Sequence, residues 1–160
     1  GQRIRLQALE QLYNRLFQEK TEKSATLAGA QVQASGPDWL ACREPGRAGL
    51  PETEVAPGEG GWIWDNRFLI TDNTPEQLLP EPLRLAALGE DGGRQIRDHA
   101  DESFMSQLPA KVRHSLPALW SGEEVVAAPL LMTGKSEHFP LNHRFSMEFR
   151  AFYWIPGSNS

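Results

Sequence analysis

The stretch LPAKVRHSLPALWSGEEVVAAP (108–129) predicts a short basic helix that leads directly into a β-hairpin. Pro109 suits the first helical position, where its missing N–H costs nothing, and Pro117 ends the helix. Val112 and Leu116 fall together on a helical wheel, and the cationic side carries Lys111, Arg113 and His114. Two aliphatic side chains thus hold down a helix whose cations point outward. A phosphate backbone needs such a surface, and an ordinary solvated helix face also has this pattern.

The hairpin is predicted from a polar, Gly-containing loop, Ser121–Glu124, between two apolar segments. A four-residue loop would pair Trp120 with Val125 and Leu119 with Val126, so that every cross-strand pair is apolar. A two-residue Ser-Gly loop would instead set Leu119 opposite Glu124. We therefore expect the longer loop.

Composition indicates one small domain with many short elements. The chain has 160 residues, 39% of them hydrophobic, with 12 Pro and 14 Gly. No run approaches the roughly 18 apolar residues that a membrane helix needs. The single cysteine, Cys42, excludes an internal disulfide and fits a reducing cytoplasm. A net charge of −5 opposes general affinity for nucleic acid, so any such binding must be local.

Hydrophobic periodicity predicts an α+β fold, in which an N-terminal amphipathic helix precedes a small, mainly antiparallel sheet with short helices. Gly1 falls inside a helical pattern, so we expect a piece excised from a longer protein. The expected organisation is a linker helix (1–23), one domain (24–155) and a fraying tail (156–160). Within it we expect a helix at 3–20, a helical approach at 94–107, a loop at 45–61, a turn at 89–92, and strands at 25–35, 38–44, 62–71, 83–88 and 145–154.

The residues alone indicate no catalytic centre and no metal or cofactor site. His138 and His143 lie five apart beside Glu137, but no HExxH or Cys/His framework surrounds them, and His99 reads as part of a solvated cluster. The chain has no nucleophile elbow and no phosphate-binding GxxxxGK[ST]. An independent metallohydrolase built on these histidines is therefore disfavoured. Trp62, Trp64 and Trp120 could line a cleft for a small ligand or a protein partner, although core packing is favoured.

An ordered set of segments resembles the C-terminal part of bacterial tRNA(Ile)-lysidine synthetase. The set is TLAGAQV (26–32), ACREPGR (41–47), IWDNRFLIT (63–71) and LPAKVRHSLPALWSGEEVVAAPLL (108–131). Three positions depart from the family pattern: Ala30 stands where Cys is frequent, Asn66 where Gly is usual, and Arg113-His114 where some relatives have two arginines. Asn accepts positive φ better than most residues, so the bend at Asn66 is compatible with the pattern.

The resemblance implies a tRNA-modifying ligase whose catalytic part lies in another domain. The family uses ATP, with Mg²⁺, to adenylate the wobble cytidine of a minor isoleucine tRNA, and lysine then displaces AMP. Activation occurs in an upstream PP-loop domain with an SGGxDS motif, which this chain lacks. The chain would therefore be an inactive tRNA-binding region of a cytoplasmic enzyme, with that catalytic domain as its partner and no membrane role. Whether it forms a homodimer is left open.

Carried over residue by residue, the resemblance assigns RNA contacts to the basic helix. Lys111 and Arg113 would touch the backbone, with His114 as an adjunct and Arg67 and Arg43 as further candidates. Phosphate contacts position a tRNA without reading its sequence, which suits a region far from the modified base.

Overall fold

The computed structural model confirms the α+β class: helices accompany strands that pair antiparallel throughout the described residues. The structure describes residues 6–18, 24–27, 29–35, 38–44, 49–56, 58–79, 81–132 and 137–150. The chain divides into two compact units, Gly1–Gly49 and Leu50–Ser160. The predicted tail, 156–160, lies outside the described residues. In the ranges given above, no helix is both long and apolar enough to cross a bilayer.

The first unit combines a helix with a three-stranded meander. Its elements are α1 (Leu6–Tyr13), a π-helical segment (Asn14–Gln18), β1 (Ser24–Leu27), β2 (Ala30–Ser35) and β3 (Asp38–Arg43), with sheet order β1-β2-β3. Leu12 and Leu16 are buried, whereas Leu6, Leu9, Tyr13 and Phe17, which share the helical spacing of Leu16, are exposed. The Phe17 ring lies 4.7 Å from the Trp39 ring. The predicted helix is thus confirmed over 6–18, and its remaining residues lie outside the described part.

The strand predicted at 25–35 is two strands. Gly29 has a φ of +80° and reverses the chain between Leu27 and Ala30. Glycine adopts this left-handed conformation without the steric cost of a Cβ. Because the residues on each side of Gly29 are apolar, hydrophobic periodicity alone did not reveal the turn.

The second unit contains two antiparallel sheets around one core. One has the order β10-β6-β5 and the other β4-β7-β8-β9. The strands are β4 (Thr53–Val55), β5 (Gly61–Trp64), β6 (Phe68–Asp72), β7 (Leu83–Ala87), β8 (Pro117–Ser121), β9 (Glu124–Ala127) and β10 (Phe145–Phe149). The helices are α2 (Gly89–Gln95), α3 (Glu102–Gln107) and α4 (Ala110–His114). β4 lies in the segment predicted as loop, and β10 confirms the last predicted strand as far as 149, beyond which only Arg150 is described.

The strand predicted at 62–71 is a hairpin, β5–β6. Asp65 and Asn66 have φ values of 49° and 53°, and the Arg67 N–H donates to the Trp64 carbonyl at 3.1 Å, which makes a type I′ turn. Period-two alternation along 62–71 places Trp62, Trp64, Phe68 and Ile70 on one face, and all four are buried, as the cross-strand pairs Trp62–Ile70 and Trp64–Phe68. A three-residue connection preserves the odd–even pattern, so alternation alone cannot distinguish one strand from this hairpin.

The β8–β9 hairpin keeps half of its predicted register. Trp120 pairs with Val125 as expected, but Ser121 also pairs with Glu124, so the turn has two residues, Gly122-Glu123, and the expected four-residue loop is wrong. A bulge between Leu119 and Trp120 then sets Leu119 opposite Ala127, so the expected pairing with Val126 is wrong.

Residues 89–92 form the first turn of α2, where a plain turn was predicted. A Cβ on Gly92 would lie 2.7 Å from a Leu88 methyl and 2.9 Å from the Trp120 ring, so this glycine lets the helix approach the sheet. The helical approach predicted at 94–107 is interrupted after α2. It restarts as α3, where the Asp101 carboxylate caps the helix by accepting from the Phe104 N–H.

A buried ion pair fixes the entry to β10. The Arg144 guanidinium contacts both carboxylate oxygens of Asp72, at 2.9 and 2.7 Å, and also donates to the carbonyls of Thr74 and Gln77. Asp72 ends β6, so one side chain connects the end of that strand, the following loop and the start of β10. Both side chains are almost fully covered, at 7% and 2% exposure.

Candidate nucleic-acid interface

Helix α4 is short and is stabilised by its surroundings. Pro109 is its N-cap residue with a φ of −56°, and Ser115 is its C-cap residue, whose hydroxyl donates to the Val112 carbonyl at 2.9 Å. Leu116 is buried and Val112 is half-buried, which confirms the predicted aliphatic side. Five residues cannot maintain a helix in water alone, so these tertiary contacts hold the backbone that carries the cations.

The cations of α4 differ in their surroundings. Lys111 is exposed, and no hydrogen bond or ion pair is recorded for its amine within the described ranges. Arg113 is half-buried and donates to the Met105 carbonyl of α3 at 3.3 Å. His114 faces α2, because a Cβ on Gly93 would lie 3.6 Å from its Nε2. Lys111 is therefore the cation most available to a ligand, while Arg113 and His114 also position the helix.

Arg67 contacts the C-terminal end of α4. Its guanidinium donates to the Ser115 carbonyl at 3.3 Å and to the Asp65 carboxylate at 2.8 Å. It also lies 5.0 Å from the centre of the Phe68 ring, a cation–π distance. The structure thus brings Arg67 to a helix that begins more than forty residues later in the chain. Sequence separation alone gave no reason to expect this.

Arg43, the remaining predicted contact, lies in the first unit. Its guanidinium donates to the Gly29 carbonyl at 3.0 Å, and the Glu44 N–H donates to the same oxygen at 2.8 Å. A side chain at position 29 would collide with this guanidinium. Arg43 therefore closes the β1–β2 turn against β3, which is a structural role.

The charge around α4 differs from the charge of its unit. Residues 50–160 contain nine Lys and Arg against sixteen Asp and Glu. No acidic residue occurs between Glu102 and Glu123, however, and α4 lies inside that window. The basic side chains of α4 thus have no acidic neighbour within the segment, although α2, which contacts α4, begins with Glu90 and Asp91. Salt screens the attraction of such exposed charges for a phosphate over about 10 Å at 0.1 M.

The three tryptophans proposed as cleft walls are buried in the core, as the favoured alternative predicted. The Trp62 and Trp64 indole N–H groups donate to Glu59 and to the Pro51 carbonyl, each at 2.9 Å. Trp120 borders a shallow cavity of about 270 Å³ beside Arg84 and Glu52, which neither of the other two lines. The rings therefore do not form a shared ligand cleft.

The histidines do not assemble a metal centre within the part of the chain that the structure describes. His99 and His138 do approach each other, with ring centroids 4.7 Å apart, and His99 also contacts the Phe139 ring. This contact links the segment after α2 to the segment before β10.

Phe149 is a surface feature that alternation did not reveal. Odd–even alternation groups it with Phe145 and Met147, which are buried, yet Phe149 is 66% exposed. It pairs with Phe68, the first residue of β6, beside the β5–β6 turn. The sequence placed a bulge or tight bend at Asp65-Asn66 within one strand, and the exposure of Phe149 follows only when this bend is the turn of a hairpin with which β10 pairs.

No known protein family, no curated protein and no solved structure matches this chain.

Proposed function

We propose that this chain is the tRNA-binding region of a tRNA(Ile)-lysidine synthetase, with the basic surface of α4 as its RNA contact. One observation carries the proposal: Arg67, from a separate segment, contacts the C-terminal end of the helix that bears the basic side chains Lys111, Arg113 and His114. Both segments belong to the set that resembles the synthetase family. The block 108–131 also forms one continuous structural piece, α4 followed by the β8–β9 hairpin.

The chemistry of this surface suits backbone contacts. Lys111 offers an ammonium group to a phosphate, and Arg113 keeps donors beyond the one that Met105 accepts. Most contacts between proteins and nucleic acids go to phosphate and sugar and fix orientation without reading bases. Because the unit is acidic overall, binding by this chain should be weak and strongly salt-dependent.

Catalysis belongs to the rest of the proposed enzyme. The ATP- and Mg²⁺-dependent adenylation of cytidine and the attack by lysine would occur in the PP-loop domain, and the chain described here would hold the tRNA for that domain in the cytoplasm. ATP turnover by this chain alone is not expected.

The proposal is tested by fluorescence anisotropy with a labelled isoleucine tRNA over a series of salt concentrations. Lys111→Gln should weaken binding several-fold and lower the salt-dependence slope by about one, since one phosphate contact is lost. Arg84→Gln is the matched control: it also removes one charge, but Arg84 pairs with Glu52 on the β4–β7 sheet, and both quantities should stay unchanged.

Two results would contradict the proposal. The first is a wild-type chain that binds tRNA without salt dependence or not at all. The second is equal loss in the two variants, because binding would then follow net charge and not the α4 surface.

A further inference from the structure

The ring of Phe149 is exposed and held in a fixed position. Its residue pairs with Phe68 in the β10–β6 register, and the Arg150 N–H donates to the Arg67 carbonyl at 2.7 Å just beyond the strand. The Phe149 and Phe68 rings meet edge to face, with centroids 5.5 Å apart and planes at 74°. An edge-to-face contact leaves at least one ring face uncovered, in agreement with the 66% exposure.

Phe149 is linked to α4 by a short series of contacts through Phe68 and Arg67. The buried Phe68 ring has Phe149 on one side and the Arg67 guanidinium 5.0 Å from its centre. That guanidinium in turn donates to the C-cap carbonyl of α4. A chain of direct contacts therefore runs from the exposed ring to the helix that carries Lys111.

The surroundings of the ring favour a flat, charged ligand over a protein. Among residues 137–150 and the β5–β6 hairpin, its neighbours are the exposed Glu148–Arg150 pair and the half-buried Arg67, so the apolar area uncovered in this part of the described structure is one ring. A stable protein interface buries about 1,200 Å² or more, which one ring cannot provide. A nucleobase needs only one open face, and its phosphates need nearby cations.

We propose that Phe149 is a stacking platform for an unpaired nucleobase, so that this surface binds RNA where a duplex meets a single strand. The inference rests on the proposed function, since the phosphates on either side of that base would lie beside Arg67 and Arg150, and Arg67 in turn contacts α4. Aromatic side chains on sheets commonly bind RNA in this way, because every base has a π face, whereas bases inside a duplex are covered by their neighbours.

The test compares two RNA probes on the full 160-residue chain: a short unstructured oligoribonucleotide and a blunt duplex of the same length. Phe149→Leu keeps an apolar residue in the strand but removes the π face. It should weaken single-strand binding by about fivefold or more, the lower limit for loss of one stacked base. Duplex binding should be unchanged, and Phe149→Trp should restore or exceed wild-type affinity for the single strand.

The outcomes separate this inference from the proposed function. If Lys111→Gln weakens the binding of both RNAs but Phe149→Leu binds the single strand like wild type, the stacking role of Phe149 is wrong. The proposed RNA contact at α4 then still holds. Equal weakening of both probes by Phe149→Leu would assign the ring a structural role and also overturn the platform. Failure of the wild-type chain to bind either probe would overturn both proposals.

Discussion

The interior around Asp72 and the surface around α4 use cations in opposite ways. Arg144 is buried, and its guanidinium donates to one carboxylate and two backbone carbonyls. Lys111 is exposed, and its amine has no hydrogen bond or ion pair with the described residues. Arg113 and Arg67 stand between these cases, because each is half-buried and donates one bond to a backbone carbonyl. Burial, more than residue type, decides whether a cation contributes to stability or remains available to a ligand.

The largest expected effect on stability comes from replacing Arg144, the buried cation of this comparison. Arg144→Met leaves the Asp72 carboxylate buried without its partner and should lower the free energy of unfolding by about 3–5 kcal/mol. Lys111→Met, the matched change on the surface, should alter it by less than about 0.5 kcal/mol. Urea unfolding followed by tryptophan fluorescence measures both. Similar losses of unfolding free energy in the two variants would contradict this distinction between the buried Arg144 and the exposed Lys111.

A smaller effect is expected from a pair of neighbouring glycines in α2. Gly92→Ala forces a methyl group against Leu88 and Trp120 and should cost about 1–3 kcal/mol of stability. Gly93→Ala places its methyl at an ordinary 3.6 Å from His114 Nε2 and should stabilise the helix by about 0.5–1 kcal/mol. Thermal unfolding of the two variants should therefore shift in opposite directions. A shared direction would mean that α2 does not pack on Trp120 as described.

The smallest effect on stability at neutral pH comes from the titration of Asp72 in the buried ion pair. Burial by itself raises the pKa of Asp72, but hydrogen bonds from Arg144 and the Thr74 N–H, together with the Arg144 charge, lower the pKa below its ordinary value. A carboxyl with a lowered pKa stabilises the fold fully above its unfolded pKa of about 3.9, and this contribution is lost as pH falls through the folded pKa.

Urea midpoints measured from pH 6 down to pH 2 should therefore fall more steeply for wild type than for Asp72→Asn, mainly below about pH 4. Parallel curves would show that the pair makes no pH-dependent contribution.

Local sequence features predicted α4 well and its neighbours poorly. The prolines at 109 and 117 and the spacing of Val112 and Leu116 act within a few residues, so the sequence was sufficient to place the helix. The position of Arg67 depends on a hairpin that period-two alternation cannot distinguish from one strand. The bulge at Leu119 and the contact between Gly92 and Trp120 depend on how a helix fits a sheet, which no local pattern records. The sequence was therefore enough to identify the basic residues of the candidate site. Only the fold shows that Arg67 lies beside α4.

The pairing of β10 with β6 has a consequence for synthesis on the ribosome. The partners of β6 in the described structure, β5 and β10, lie just before it and more than seventy residues after it. In a nascent chain that has emerged only to residue 140, β6 has no Arg144 for Asp72 and no Met147 opposite Ile70. Until residue 149 leaves the exit tunnel, the edge of β6 that β10 covers in the described structure stays unpaired, and an unpaired strand edge is prone to pair with other chains.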